Sequence, residues 1–174
     1  ITRELTSIAD SISVDNMGNL VALKKGKSSE KKVMAAAHMD EIAYMVTHID
    51  DDGFIRFHTL GGFDPKTLTA QRVIIHGLED VKGVMGSKPI HQMTADERTK
   101  APKISDYFID TGLSKGEVEA LIGVGDPITR ASSLEQLGQC VSSRSLDNRV
   151  SVYILLQILE KLAANRPIYD LYSV

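Results

Sequence analysis

The sequence predicts an α/β fold in which a mixed-sheet domain is interrupted by an inserted, β-barrel-like domain. Three observations carry this. A short, wholly apolar run, Val33-Met34-Ala35-Ala36-Ala37, stops abruptly at His38-Met39-Asp40-Glu41. Between residues 43 and 137 the apolar runs become short and are separated by Gly, Asp and Pro. From about Leu146 a helical period returns, and a last strand-like run, 168–174, follows it. Strand, β-rich excursion, helix and strand describe one domain split by another. Residues 1–42 and 138–174 form the first and second parts of the outer domain, and 43–137 the insert.

The composition limits the function classes. With 174 residues, 43% hydrophobic and 25% charged, the chain suffices for one full domain or two small ones. The net charge of −3, with dispersed Lys and Arg, gives no footprint for nucleic acid or for a polybasic membrane patch, so neither partner is expected. The single cysteine, Cys140, excludes an internal disulfide. With no signal-peptide pattern and no apolar run of membrane-spanning length, it points to a reducing cytoplasm. Cys140 itself reads as a small core or surface residue.

Ile1, Leu5, Ile8 and Ile12 recur at spacings of three to four and predict the end of a short amphipathic helix. Asn16-Met17-Gly18-Asn19 is a turn signature between Ser13-Val14-Asp15 and Leu20-Val21-Ala22-Leu23, which predicts a hairpin. Residues 24–32 read as a solvated turn. Residues 33–37 are too few for a free-standing helix and suit a strand buried on both faces. The runs 42–49, 53–59, 71–76, 81–85 and 104–110 read as strands of an antiparallel or barrel-like unit. Capping boxes at Thr94-Ala95-Asp96-Glu97 and Ser114-Lys115-Gly116-Glu117 predict two short helices. His48, His58, His76 and His91 lack an acidic partner at ligand spacing and read as structural or exposed. Val150, Ile154, Ile158 and Leu162, widened by Leu155 and Leu159, predict a deeply buried helix that stops near Asn165-Arg166-Pro167.

Chemistry is expected where the core run stops, because ligand sites of such sheets lie at the carboxyl ends of strands. His38 can bind a metal through one ring nitrogen while Asp40 holds the other ring N–H. An ordinary hydrogen-bonded histidine is the commoner use of a single His at a strand end. Asp147, in Ser145-Leu146-Asp147-Asn148-Arg149, reads either as a helix cap at the positive end of the dipole or as a carboxylate bridging two metal ions.

Six segments in order carry a resemblance. They are Ala36-Ala37-His38-Met39-Asp40-Glu41-Ile42, Leu60-Gly61-Gly62-Phe63-Asp64, residues 82–91 (Lys-Gly-Val-Met-Gly-Ser-Lys-Pro-Ile-His), Ile109-Asp110-Thr111-Gly112, Val124-Gly125-Asp126 and Leu146-Asp147-Asn148-Arg149. Together with Val14-Asp15-Asn16-Met17-Gly18-Asn19, the chain resembles the tetrahedral, glutamyl and deblocking aminopeptidases, a family of dinuclear metallopeptidases. The resemblance spans nearly all 174 residues.

It implies a metallopeptidase domain interrupted by a dimerisation domain that helps build homo-oligomers, dimer-based and often dodecameric. It also implies a peptide substrate and two divalent metal ions, zinc or cobalt. His38 is then a ligand of one metal, Asp147 the carboxylate shared by both, and Asp40 the catalytic-site residue that orients His38. The family continues beyond the equivalent of Tyr172-Ser173-Val174 into a Gln-Glu-Glu segment with the general base and another ligand. The 174 residues are therefore expected to be an incomplete and inactive fragment of an aminopeptidase. Two other classes compete. One is another two-metal hydrolase, a deacylase or, as some family members have been labelled, a glucanase. The other is a non-catalytic assembly module.

Overall fold

The computed structural model describes residues 1–174. In chain order it contains α1 (Thr2–Leu5), β1 (Ser11–Val14), β2 (Leu20–Lys24), β3 (Ser28–Ala35), β4 (Ala43–Ile49), β5 (Ile55–Leu60), β6 (Arg72–His76) and β7 (Asp80–Ser87). There follow α2 (Ala95–Thr99), β8 (Tyr107–Asp110), α3 (Lys115–Leu121), β9 (Pro127–Arg130), β10 (Glu135–Leu137), β11 (Cys140–Ser142), α4 (Leu146–Ala164) and β12 (Tyr169–Ser173). The chain divides into two compact units, residues 1–41 with 145–174 and residues 42–144. Residues 138–144, read from the sequence with the last segment, group with the second unit.

The first unit is a mixed four-stranded sheet in the order β1-β2-β12-β3, with β12 parallel to β3 and antiparallel to β2. Its hairpin is set by the local turn. Gly18 takes φ +87°, and Asp15 Oδ1 accepts the N–H groups of Met17 and Asn19 at 2.8 and 2.9 Å, so β1 and β2 pair antiparallel. Leu5, Ala22, Leu159 and Leu171 form the buried core between sheet and helices.

Four sequence expectations are corrected here. The helix at the start covers only Thr2–Leu5, and Ile12 lies in β1, because the helical spacing of Ile8 and Ile12 coincides with two positions that pack on the same core. Residues 24–32 are not a solvated turn: Lys24 is buried in β2, its Nζ bonded to Ile8 O at 2.8 Å, and β3 begins at Ser28. The run 33–37 is not buried on both faces. β3 is an end strand with one neighbour, and Met34 is 70% exposed. Finally, α4 is not deeply buried. A four-stranded sheet covers only the stripe around Leu156, Leu159 and Leu162, which leaves Tyr153 61% exposed, together with Val150 and Ile154.

In the second unit, six strands close into a barrel in the order β4-β5-β8-β7-β6-β9. Alternation does the work: Val73 and Ile75 of β6, and Val81 and Met85 of β7, point inward while their neighbours face out. Gly83 keeps the wall thin, since a Cβ there would stand 2.5 Å from Ile109 Cγ2. Both capping boxes form, Thr94 with Glu97 and Ser114 with Glu117. The hairpin β10–β11 is a separate two-stranded sheet that the sequence reading did not anticipate. His76 does have an acidic partner. Its Nδ1 is 2.7 Å from Asp80 Oδ1 and its Nε2 2.8 Å from Thr129 Oγ1, a cross-strand network completed by Arg144 Nη1 on the same hydroxyl at 3.0 Å.

Candidate functional site

The candidate site lies in the first unit, on irregular backbone beyond the ends of regular elements. The last sheet-like bond before it is Ala37 N–H to Val174 O, 2.9 Å, and residues 36–42 carry no strand or helix. Opposite them the head of α4 is also irregular. Ser145 is left-handed at φ +63°, and Asp147 and Asn148 take non-helical dihedrals joined by a cis peptide. With those dihedrals Asp147 departs from regular helical geometry within the first turn, and Ser145 occupies the N-cap position without a side-chain cap bond.

The structure brings the three singled-out residues together. His38 Nδ1 lies 2.9 Å from Asp40 Oδ1, and His38 Nε2 lies 3.4 Å from Asp147 Oδ1. A carboxylate only accepts, so Asp40 places the ring proton on Nδ1, and in the neutral imidazole Nε2 presents its lone pair toward Asp147. Two acceptors facing each other suit a cation between them. Donors each about 2.1 Å from a tetrahedral ion stand roughly 3.4 Å apart, which matches the observed separation. The side chains of His38, Asp40 and Asp147 are 55%, 84% and 96% exposed, and ion pairs so exposed add only about 0–1 kcal/mol to stability. Folding stability therefore gives little reason for this convergence.

The donor set is small. No group of three or more His, Cys, Asp or Glu side chains that could hold a metal ion occurs. Beside the pair lies a cleft of about 860 Å³, lined by His38 and Asp40 together with apolar residues such as Leu5, Ala22, Leu155 and Leu159. Two further contacts were not foreseen from the sequence, although both fall inside the singled-out segments. Ser145 Oγ donates to Glu41 Oε2 at 2.7 Å, and Arg149 Nε donates to Met39 O at 3.2 Å. Nothing in the local pattern signals them, because their partners are more than a hundred residues away. No helix is long and apolar enough to cross a membrane.

Comparison with known proteins adds the wider frame. The family model described as M42 glutamyl aminopeptidase matches residues 18–174. The lysyl aminopeptidase of Pyrococcus furiosus is 32% identical over 176 residues, covering 98% of this chain and 49% of that protein. The crystal structure of a TET aminopeptidase from a marine-sediment thaumarchaeon superposes with a TM-score of 0.90 at 28% identity, covering 99% of this chain and 50% of the other. The TET1 peptidase of Pyrococcus horikoshii, described as assembling into a tetrahedron or a large octahedral shell, gives a TM-score of 0.79 at 30% identity, covering 98% and 52%. The chain thus spans about half the length of the curated relatives it matches.

Proposed function

Because the chain belongs to the M42 glutamyl aminopeptidase family, we propose that the whole protein is a metal-dependent aminopeptidase that removes N-terminal residues from peptides. The observation that carries this reading is the 3.4 Å approach of His38 Nε2 and Asp147 Oδ1, with Asp40 holding the other ring nitrogen. His38 would hold one metal ion through Nε2, and Asp147 would share its carboxylate between two. Asp40 keeps the ring in the tautomer and orientation that leave Nε2 free. Two divalent cations, zinc or cobalt on these imidazole and carboxylate donors, would supply Lewis acidity to the scissile carbonyl and ease deprotonation of a water. With only two donors to offer, the 174 residues by themselves bind metal weakly and show no peptidase activity.

In the same reading the outer unit is the catalytic domain, and residues 43–137 are a dimerisation insert carried by the barrel. The shells described for the TET1 peptidase support a homo-oligomer built from such dimers. Cys140, exposed and unpaired, fits the reducing cytoplasm we assign.

The test is an assay of the full-length protein and of the 174-residue chain on aminoacyl-p-nitroanilides and short peptides, with Zn²⁺, Co²⁺ or a chelator. Chelator-sensitive cleavage by the full-length protein, abolished by His38→Ala, is the expected result. Inactivity of the full-length protein toward every peptide overturns the aminopeptidase reading. Turnover by the 174-residue chain overturns the assignment of weak, incomplete metal binding.

A further inference from the structure

Both candidate ligands stand where the backbone does least to fix them. His38 lies beyond the last sheet-like bond of its strand, and Asp147 precedes the regular part of α4 with extended dihedrals of φ −86° and ψ 103°. A metal site tolerates little drift, since donors must stay within a few tenths of an ångström of their coordination distance. Something other than the ladder and the helix must hold the two segments in register.

We propose that Ser145, Glu41 and Arg149 form a two-point clamp that positions His38 and Asp147 for metal, a role that rests on the metallopeptidase reading above. The placement is systematic. Ser145 and Arg149 lie two residues before and two after Asp147. Glu41 and Met39 O lie on the His38 segment, Met39 immediately after the histidine and Glu41 immediately after Asp40. The Ser145 hydroxyl reaches Glu41 Oε2 at 2.7 Å and the Arg149 guanidinium reaches Met39 O at 3.2 Å, so each side of Asp147 is tied to the segment that carries His38. A third bond, Arg149 N–H to Ser145 O at 3.2 Å, closes the turn that contains Asp147. Ser145 sits at φ +63°, a backbone state uncommon for a side chain other than Asn, Asp or Gly, and its hydroxyl uses that state to face the opposite segment.

The bonds differ in length and exposure, and that difference orders their weights. Ser145 to Glu41 is a hydroxyl donating to a carboxylate at short distance, a charge-assisted bond on partly buried partners. Arg149 to Met39 is longer and exposed, and water competes for the carbonyl. Loss of the serine hydroxyl should therefore cost more than loss of the arginine, although the arginine is the larger side chain. None of the three touches the reacting atoms. They are positioning residues, and they act through the metal ligands.

The experiment uses the full-length protein and Co²⁺ as the probe. Dissociation constants for Co²⁺ are measured by chelator competition, with visible ligand-field spectra of the loaded protein and thermal melts of the metal-free form. Ser145→Ala and Arg149→Ala should each weaken Co²⁺ binding, the first by roughly 10–100-fold, the usual range for groups that orient metal ligands, and the second by less. The spectra should broaden and the metal-free melts should shift little. Arg149→Lys, which keeps a donor, should recover part of the affinity lost in Arg149→Ala. Unchanged Co²⁺ affinity in both alanine variants, in a protein whose binding depends on His38, overturns the clamp alone. Absence of any His38-dependent Co²⁺ binding overturns the metal reading, and the clamp with it. If Ser145→Ala fails to fold, Glu41→Gln, which weakens the same bond without removing volume, decides between these outcomes.

Discussion

Replacement of Asp40 by alanine tests the heart of the site with a single side chain. In the native arrangement the Asp40 carboxylate accepts from His38 Nδ1–H at 2.9 Å and so leaves the Nε2 lone pair free to bind a metal. Removing it has two separable consequences. The ring is no longer held in the Nδ1–H tautomer, and it loses the acceptor that fixed its rotation. Partners of this kind are generally worth 10–100-fold in metal affinity, or about 1.4–2.7 kcal/mol. Exposure decides where in that range Asp40 falls. Its side chain is 84% exposed, so a water molecule can take over part of its function, and about 10-fold is the expected loss. Asp40→Asn keeps an oxygen that can accept from Nδ1 and should lose only about 3-fold. Co²⁺ titration of the full-length protein against a competing chelator measures both variants, and kcat and KM for one aminoacyl-p-nitroanilide accompany them. Equal affinity of wild type and Asp40→Ala would refute the orienting role. Equal losses for Asn and Ala would show that the negative charge, not the hydrogen bond, matters.

Three further outcomes follow from the packing. Gly26→Ala places a Cβ 2.3 Å from Tyr169 C and 2.6 Å from Tyr169 O, backbone atoms that cannot swing aside, so the melting free energy should drop by about 3 kcal/mol; calorimetry showing an unchanged melt refutes the contact. His76→Ala removes the bonds to Asp80 and Thr129 and should destabilise the barrel by about 1–3 kcal/mol in urea unfolding, while Co²⁺ affinity stays at the wild-type value. The Asp170 carboxyl is held below its usual range, first by the Gly26 N–H and then by the Ser29 hydroxyl, so protonation favours the unfolded chain. Its contribution is complete above the unfolded value, about 3.9, and is lost as the pH falls through the lower folded value. Denaturation midpoints should thus decline below about pH 4, and Asp170→Asn should make that decline shallower; an unaltered slope refutes the assignment.

The parts of this molecule that were legible in the sequence are those fixed by local chemistry. The Asp15 turn, both capping boxes and five of the six barrel strands, β4 to β8, announce themselves because turn residues, Ser/Thr-x-x-Glu patterns and period-2 alternation each describe a structure a few residues long, whereas β9 was not read as a strand. What could not be read was burial. Val33 and Met34 have the composition of a core strand, yet composition does not say how many neighbours a strand has, and β3 has one. The same holds for α4, whose apolar stripe is wider than the sheet it covers. The start of the chain failed for a different reason: Ile8 and Ile12 meet one core from a turn and a strand, and such convergence imitates a helical period. At the site, His38, Asp40 and Asp147 were each visible as residue types at the margin of an apolar run. The bonds from Ser145 to Glu41 and from Arg149 to Met39 were not, since a contact across more than a hundred residues leaves no mark on spacing.

The two units dispose of their strand edges in opposite ways. β9 bridges β4 and β6 and closes the barrel, so that the six barrel strands have no edge strand among them and only the short β10–β11 hairpin of that unit keeps open edges. The four-stranded sheet ends on β3, whose outer edge is free among these residues. Along that strand Glu30, Lys31 and Lys32 act as gatekeepers over the first half, with the two lysines lying over the rings of Tyr169 and Tyr172, while Val33 and Met34 leave the second half uncharged. Aggregation of these 174 residues, when it occurs, should therefore start at Val33 and Met34, and a lysine in place of Met34 should raise solubility without touching the barrel.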